Sequence, residues 1–151
     1  MRAVAQRVHS ARVEVDGREV AAIGRGVCVF AAAGLGDAAA DVAYIAAKLV
    51  GLRVFDAADA PGRMRLGLAE THGGVLLVPQ FTLYGDVRRG RRPDFGGAAP
   101  PDSARRWLAA LAAAVRASGL EVSEGVFGAD MRVDVVNDGP VTILLDSRRL
   151  F

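Results

Sequence analysis

The chain has 151 residues, of which 52% are hydrophobic and 24% charged, and its formal net charge is +2. This length suits one globular domain spanning residues 1–151, and the single cysteine, Cys28, excludes an internal disulfide and a cysteine-rich zinc site. Neither a signal peptide nor a membrane-spanning run is visible, so we expect a cytoplasmic protein without membrane contact.

Hydrophobic patterns predict strands and one helix in the first half of the chain. Short alternating patterns predict strands at 2–8, 12–15 and 18–23, and an apolar run predicts a buried strand at 27–33. A helix is predicted over 38–50, with Asp37 as its cap and Gly51 as its end. Shorter strands are predicted at 52–55, 64–68 and 75–78.

The second half begins with a loop that is rich in glycine, proline and arginine, at 85–101. A second helix is predicted over 101–118 and ends before Gly119. Two last strands, at 131–136 and 141–145, flank four residues that favour a hairpin turn. We therefore expect an α+β fold, in which a curved or barrel-like sheet, antiparallel or mixed, is covered by two main helices.

Few side chains of the usual catalytic types are present. His9 and His72 are the only histidines, and neither belongs to a spaced metal-binding motif. Each is interpreted as a surface histidine or, alternatively, as a catalytic base. Basic charge rests on arginine, because Lys48 is the only lysine; this pattern is typical of phosphate contacts but also of a compositional bias. An enzyme with this sequence would depend on backbone amides, hydroxyls or the substrate.

Two segments stand out against this background. Gln80 and Thr82 follow an apolar strand, where they either present an amide and a hydroxyl to a pocket or merely end the strand. Asn137–Val141 is either a simple turn with a trans proline or, with a cis Gly139-Pro140 bond, a rigid pair of carbonyl groups that point the same way.

At these segments the sequence resembles the D-aminoacyl-tRNA deacylase family, also described as D-tyrosyl-tRNA(Tyr) deacylases. The resemblance spans essentially the whole chain. Six motifs carry it, in order and at the family's spacing: Ala5–Val8, Gly73–Val75, Gln80–Leu83, Gly90–Phe95, Gly125–Met131 and Asn137–Thr142.

The resemblance implies an editing hydrolase that frees tRNA from D-amino acids, and from glycine on tRNA(Ala), without a metal or another cofactor. It implies a homodimer with active sites at the interface. Its implied catalytic residues are Gln80, Phe81 and Thr82, with the RNA's own 2′-hydroxyl assisting. A cis Gly139-Pro140 unit, braced by Arg7, would reject L-amino acids from the partner's pocket. The implied substrate contacts are Phe127 and Met131 near the terminal adenosine. The arginines at 88, 89, 91 and 92, of which Arg92 is the candidate substrate contact, either bind phosphates of the acceptor stem or form a solvated charged loop.

One departure from the family pattern is Pro79, which replaces the serine that usually precedes the glutamine. Any role of that serine hydroxyl is therefore lost in this chain. Three alternatives remain open: Thr82 as a nucleophile, a related deacylase that removes L-alanine from tRNA(Thr) and has a trans Gly-Pro, and a non-catalytic tRNA- or DNA-binding module.

Overall fold

The structure is a computed structural model and describes residues 1–150. The strands are β1 (Arg2–Val15), β2 (Arg18–Ile23), β3 (Gly26–Ala32), β4 (Phe55–Ala57), β5 (Ala60–Leu66), β6 (Gly74–Pro79), β7 (Val122–Glu124) and β8 (Arg132–Asp146). The helices are α1 (Ala39–Gly51), α2 (Leu68–Thr71) and α3 (Pro101–Arg116), with a 3-10 turn at Phe81–Tyr84. The two main helices are those that the sequence predicts.

The long strand β1 organises the sheet. It pairs antiparallel with β3 and β2 in succession and with β8 along almost its whole length. Strands β3, β6 and β7 continue the sheet in parallel pairs. The Ser123 hydroxyl of β7 donates to the Ala22 carbonyl of β2 at 3.2 Å, so the two ends of the sheet nearly meet. The result is the predicted α+β fold with a mixed, nearly closed barrel.

Two apolar clusters lie on the two faces of this sheet. Helices α1 and α3 cover the outer face, where Ile45 and Leu111 pack against Val29 and Leu77. The inner cluster contains Val8, Val13, Cys28, Leu76 and Val78. Cys28 is fully buried, and burial raises the pKa of its thiol to about 12.

Two boundaries in the sequence prediction are wrong. Residues 2–15 form one strand rather than two, and 132–146 form one strand rather than two strands around a hairpin. Strand β8 stays paired with β1 on both sides of residues 138–141, which bulge out opposite Arg7. Turn-forming residues therefore produce a bulge here because the neighbouring strand continues past them.

The predicted cap of α1 is also wrong. The helix begins after Ala38, whose N–H donates to the Asp41 carboxylate at 2.8 Å. Asp37 instead accepts from the Gly34 N–H at 2.6 Å and pairs with the Met1 ammonium group at 2.8 Å. A buried ion pair competes here with the capping role that the sequence indicates. Within residues 1–150 no helix is long and apolar enough to cross a membrane.

Candidate active site

A cavity of about 650 Å³ opens where β3 and β6 end. The 3-10 turn, the start of α3 and residues 127–131 complete its walls. Four residues singled out in the sequence line this main cavity together: Gln80, Phe81, Phe127 and Met131. They come from segments some fifty residues apart, and the sheet brings them together because β6 lies beside the chain that leads into β8.

The end of β6 positions the predicted catalytic segment. Strand β7 pairs only with residues 75–77, so the missing N–H of Pro79 breaks no bond on that side. The Gln80 N–H continues the ladder to the Ala31 carbonyl at 2.9 Å. Proline at position 79 is thus compatible with the strand.

The 3-10 turn begins immediately after Gln80. The first backbone hydrogen bond of the turn runs from the Leu83 N–H to the Gln80 carbonyl at 3.2 Å. The N–H groups of Phe81 and Thr82 precede this bond and therefore have no partner within the turn. The Gln80 side-chain amide donates to the Thr82 hydroxyl. Thr82 is exposed and does not line the main cavity.

The β8 bulge (residues 138–141) is braced by Arg7. Its guanidinium Nε lies 3.2 Å from the Asp138 carbonyl and 3.1 Å from the Asp138 carboxylate, and its Nη1 donates to the Val54 carbonyl at 2.5 Å. The Asn137 amide donates to the Arg7 carbonyl at 2.8 Å and to the Val141 carbonyl at 3.2 Å. Bonds from β1 and from within β8 therefore hold both ends of the bulge.

At the tip of the bulge, Gly139 has a φ of +120°, and the Gly139-Pro140 peptide bond is cis. A Cβ on Gly139 would lie 2.8 Å from the Arg7 Nη2 and 2.9 Å from a Val141 methyl group. Arg7, Gly139 and Pro140 thus form one cluster. None of the three lines the main cavity of the same chain.

A family model described as D-Tyr-tRNA(Tyr) deacylase matches residues 4–146. The chain belongs to this deacylase family. A D-aminoacyl-tRNA deacylase of Anaeromyxobacter dehalogenans (strain 2CP-C) is 54% identical over 151 residues, which is 100% of each chain.

Two solved structures share the deacylase-family fold. One, titled c-Myc DNA Unwinding Element Binding Protein, has a TM-score of 0.90 and 36% identity, over 97% of this chain and 98% of the other. The other, titled as a probable eukaryotic D-amino acid tRNA deacylase, has a TM-score of 0.78 over 96% and 98%. At 20% identity, this second likeness concerns the fold alone.

Two side chains at the main cavity were not chosen as site residues from the sequence. Phe95 packs edge-on against Phe81, with 5.1 Å between the ring centroids. The Arg105 guanidinium lies 4.5 Å from the centroid of the Phe127 ring. Phe95 belongs to the recognised motif at 90–95, so it could have been chosen, whereas nothing local distinguishes Arg105 from its neighbour Arg106.

Other expected site residues lie elsewhere in this deacylase-family member. Arg92 lines a second cavity rather than the main one. Within residues 1–150 neither histidine lines either cavity; His9 lies 3.3 Å from the Asp138 carboxylate. Across the same residues, no three His, Cys, Asp or Glu side chains cluster as metal ligands would.

Proposed function

We propose that the protein hydrolyses the ester bond of D-aminoacyl-tRNA and releases tRNA and the D-amino acid in the cytoplasm. The family match over residues 4–146 supports this activity. The observation that carries it is the main cavity, which combines the Gln80-Phe81 segment with Phe127 and Met131. Polar groups are few there and the walls are mainly apolar, as in many small-ligand sites.

In this proposal Gln80, Phe81 and Thr82 hold the aminoacyl ester. The N–H groups of Phe81 and Thr82 precede the first bond of the 3-10 turn, so they are available to an oxyanion. Such a donor typically contributes about 3–4 kcal/mol to catalysis. Phe127 and Met131 contact the terminal adenosine, where an aromatic ring can stack on the base.

The reaction itself needs a water molecule and a leaving hydroxyl. Water adds to the ester carbonyl carbon, the bond to the ribose oxygen breaks, and that oxygen leaves with a proton. The neighbouring 2′-hydroxyl of the RNA assists by activating the water or stabilising the intermediate. Thr82 is a weaker candidate for a nucleophile because, within residues 1–150, its hydroxyl forms a hydrogen bond with Gln80 and none with a histidine or carboxylate.

We further propose that a second copy of the chain completes the site. The β8 bulge lies outside the main cavity of its own chain, and within residues 1–150 β8 pairs with β1 alone. Its other edge is thus open to a partner, and Val136 and Leu144 expose apolar surface on the strand. In the homodimer, Gly139-Pro140 of one subunit enters the pocket of the other.

This arrangement accounts for the choice of substrate. The carbonyl groups of the Gly139-Pro140 unit collide with an L-side chain, whereas a D-side chain points away from them. Rejection of the wrong substrate therefore produces the specificity. Glycine has no side chain to reject, so glycine attached to tRNA(Ala) is also hydrolysed.

A binding-only role is the alternative. The arginines and the likeness to a structure titled as a DNA-unwinding-element-binding protein favour it. The test is hydrolysis of D-tyrosyl-tRNA and L-tyrosyl-tRNA in parallel by purified protein without added metal. Loss of the D-ester alone supports the proposal. Loss of neither ester, with tight binding of deacylated tRNA, supports the alternative, and loss of L-alanine from tRNA(Thr) supports the related deacylase type.

A further inference from the structure

A second cavity, of about 800 Å³, lies beside the arginine loop (residues 85–100). Arg2 and Tyr84 form one side of it, and Arg88, Arg89 and Arg92 of the loop form the other. Its acidic members are Asp86 and Asp94. We call this space the arginine cavity.

The contacts within the arginine cavity separate its arginines into two groups. Arg88 binds Asp86 through its side chain, with a shortest distance of 2.5 Å, and Arg2 pairs with Asp146 at 3.1 Å. Asp94 accepts from the Gly96 N–H at 2.6 Å. Arg89 and Arg92 form no ion pair or side-chain hydrogen bond with any residue from 1 to 150. Their charge therefore remains available to a bound anion.

Tyr84 is a buried part of the wall of the same cavity, and its hydroxyl lies toward Gly34. Burial, followed by the nearby Asp37, raises the pKa of its hydroxyl to about 12, so it stays protonated at neutral pH. The Arg2 guanidinium stacks 4.6 Å from the centre of its ring. The floor of the cavity is thus ordered, whereas its arginine rim is exposed.

The arginine cavity and the main cavity share a wall. In the 3-10 turn, Phe81 lines the main cavity while Tyr84 lines the arginine cavity. In the arginine loop, Phe95 lines the main cavity while Gly96 and Gly97 line the arginine cavity. A polymer whose last residue occupies the main cavity can therefore cross the Phe81–Phe95 pair into the arginine cavity.

We propose that the arginine cavity binds phosphodiester groups of the RNA strand whose 3′ end lies in the main cavity, with Arg89 and Arg92 as the phosphate contacts. This inference rests on the proposed function, because it takes the RNA end as the ligand of the main cavity. Exposed arginines suit a backbone contact that fixes the register of a strand without reading its bases. A small anion could bind in the arginine cavity alone, whereas only a polymer makes use of the connection between the two cavities.

The test compares two double variants that lose equal charge. Arg89→Ala/Arg92→Ala removes the proposed contacts, and Arg63→Ala/Arg65→Ala removes two exposed arginines of β5 that line neither cavity. Binding of a deacylated RNA stem-loop with a 3′-CCA end is measured by fluorescence anisotropy over a salt series. We expect the first variant to bind on the order of tenfold more weakly at low salt and to lower the salt slope by about 1.4.

Hydrolysis of D-tyrosyl-adenosine, which has no phosphate, separates this inference from the proposed function. The Arg89/Arg92 variant should cleave this nucleoside ester at the wild-type rate while its kcat/KM on D-tyrosyl-tRNA falls. An equal loss of RNA binding in the Arg63/Arg65 variant, an unchanged salt slope, or equal loss of activity on both substrates would overturn the inference. If the wild-type protein cleaves neither ester, the proposed function fails, and the salt slopes still decide whether the arginine cavity binds RNA.

Discussion

The β8 bulge is held by side chains of β1 and of β8 itself, whereas the arginine loop is held mainly by its own backbone. Arg7 makes three short contacts, with the Asp138 carbonyl, the Asp138 carboxylate and the Val54 carbonyl. The Asn137 amide makes two more, with the Arg7 and Val141 carbonyls. In the loop, Asp86 and Asp94 exchange two backbone hydrogen bonds, at 2.7 and 2.9 Å. Beyond residue 86, the arginines of the loop are exposed.

This difference matches the role proposed for each segment. Rejection of one enantiomer requires atoms held to within a fraction of an ångström, because a displaced group no longer collides with the wrong side chain. Attraction of phosphate requires only positive charge at suitable range. The proposed roles therefore require a rigid brace at the bulge, whereas an exposed loop suffices at the arginine cavity.

The largest effect is expected from Arg7→Ala. The side chain is only 10% exposed, and its removal leaves the Val54 carbonyl and part of the Asp138 carboxylate without a donor. We expect a loss of about 2–4 kcal/mol in the free energy of unfolding. The bulge should also lose its position, so the ratio of D-ester to L-ester hydrolysis should fall by on the order of 100-fold.

Arg12→Ala on the same strand is the control for this change. Arg12 is about half exposed and pairs with Asp134 at 2.9 Å, so its loss should change the free energy of unfolding only slightly. Urea unfolding and parallel hydrolysis assays measure both quantities. Equal effects of the two substitutions would show that Arg7 is only one more surface ion pair.

A loss of stability similar to that of Arg7→Ala is expected from Gly139→Ala, and Gly90→Ala in the arginine loop is its counterpart. Both glycines have positive φ, +120° and +154°, but only Gly139 is surrounded by atoms that a Cβ would meet. We expect a cost of about 2–4 kcal/mol at Gly139, from crowding and backbone strain together, and about 1–2 kcal/mol at Gly90. Activity on D-tyrosyl-tRNA should fall at Gly139 and persist at Gly90. A tolerant Gly139 would mean that Arg7 and Val141 move aside easily.

The two segments also differ in whether their exposed apolar side chains are proposed to lie in the dimer interface. Leu144 of β8 and Val87 of the arginine loop are similarly exposed, at 57% and 59%. If the edge of β8 forms the dimer, Leu144→Lys should raise its dissociation constant at least tenfold, whereas Val87→Lys should leave it unchanged. Sedimentation velocity over a dilution series measures this. A wild-type monomer at all concentrations would contradict the proposed homodimer.

Sequence patterns predicted the α+β class and both main helices because those features depend on local periodicity. The family resemblance implied one site for Gln80, Phe81, Thr82, Phe127 and Met131; all of these except Thr82 line one cavity. The patterns did not predict that residues 138–141 bulge from a continuous strand, because that outcome depends on pairing with β1, more than a hundred residues away.

The roles of individual charges were the least predictable feature. Asp37 and Arg88 have ordinary sequence contexts, yet one carries a buried ion pair with Met1 and the other is bound by Asp86. Arg105 meets Phe127 only because α3 packs beside residues 127–131. Such partners depend on tertiary distances that no local pattern contains.

The smallest effect on stability is expected at Asp86. Its carboxylate binds Arg88, whereas Arg89 and Arg92 have no such partner within residues 1–150. Hydrogen bonds from the Arg88 side chain and backbone hold the pKa of the Asp86 carboxyl well below its usual range. A lowered carboxyl pKa adds stability above the ordinary value of about 3.9, and this contribution is lost as the pH falls toward the lowered pKa. Because both side chains are exposed, the change in unfolding free energy should be slight.

The clearer measurement is an NMR titration of the Asp86 carboxyl carbon. Its midpoint should lie below 3.8 in the wild type and rise in Arg88→Ala, while Arg89→Ala should shift it less, since Arg89 acts only through its charge. At neutral pH the pair is intact, so Arg88 is not free to bind phosphate. Asp86→Asn should release it and strengthen RNA binding by a few-fold at low salt. Unchanged binding in this variant would mean that Arg88 lies outside the path of the RNA, and that the second cavity depends on Arg89 and Arg92 alone.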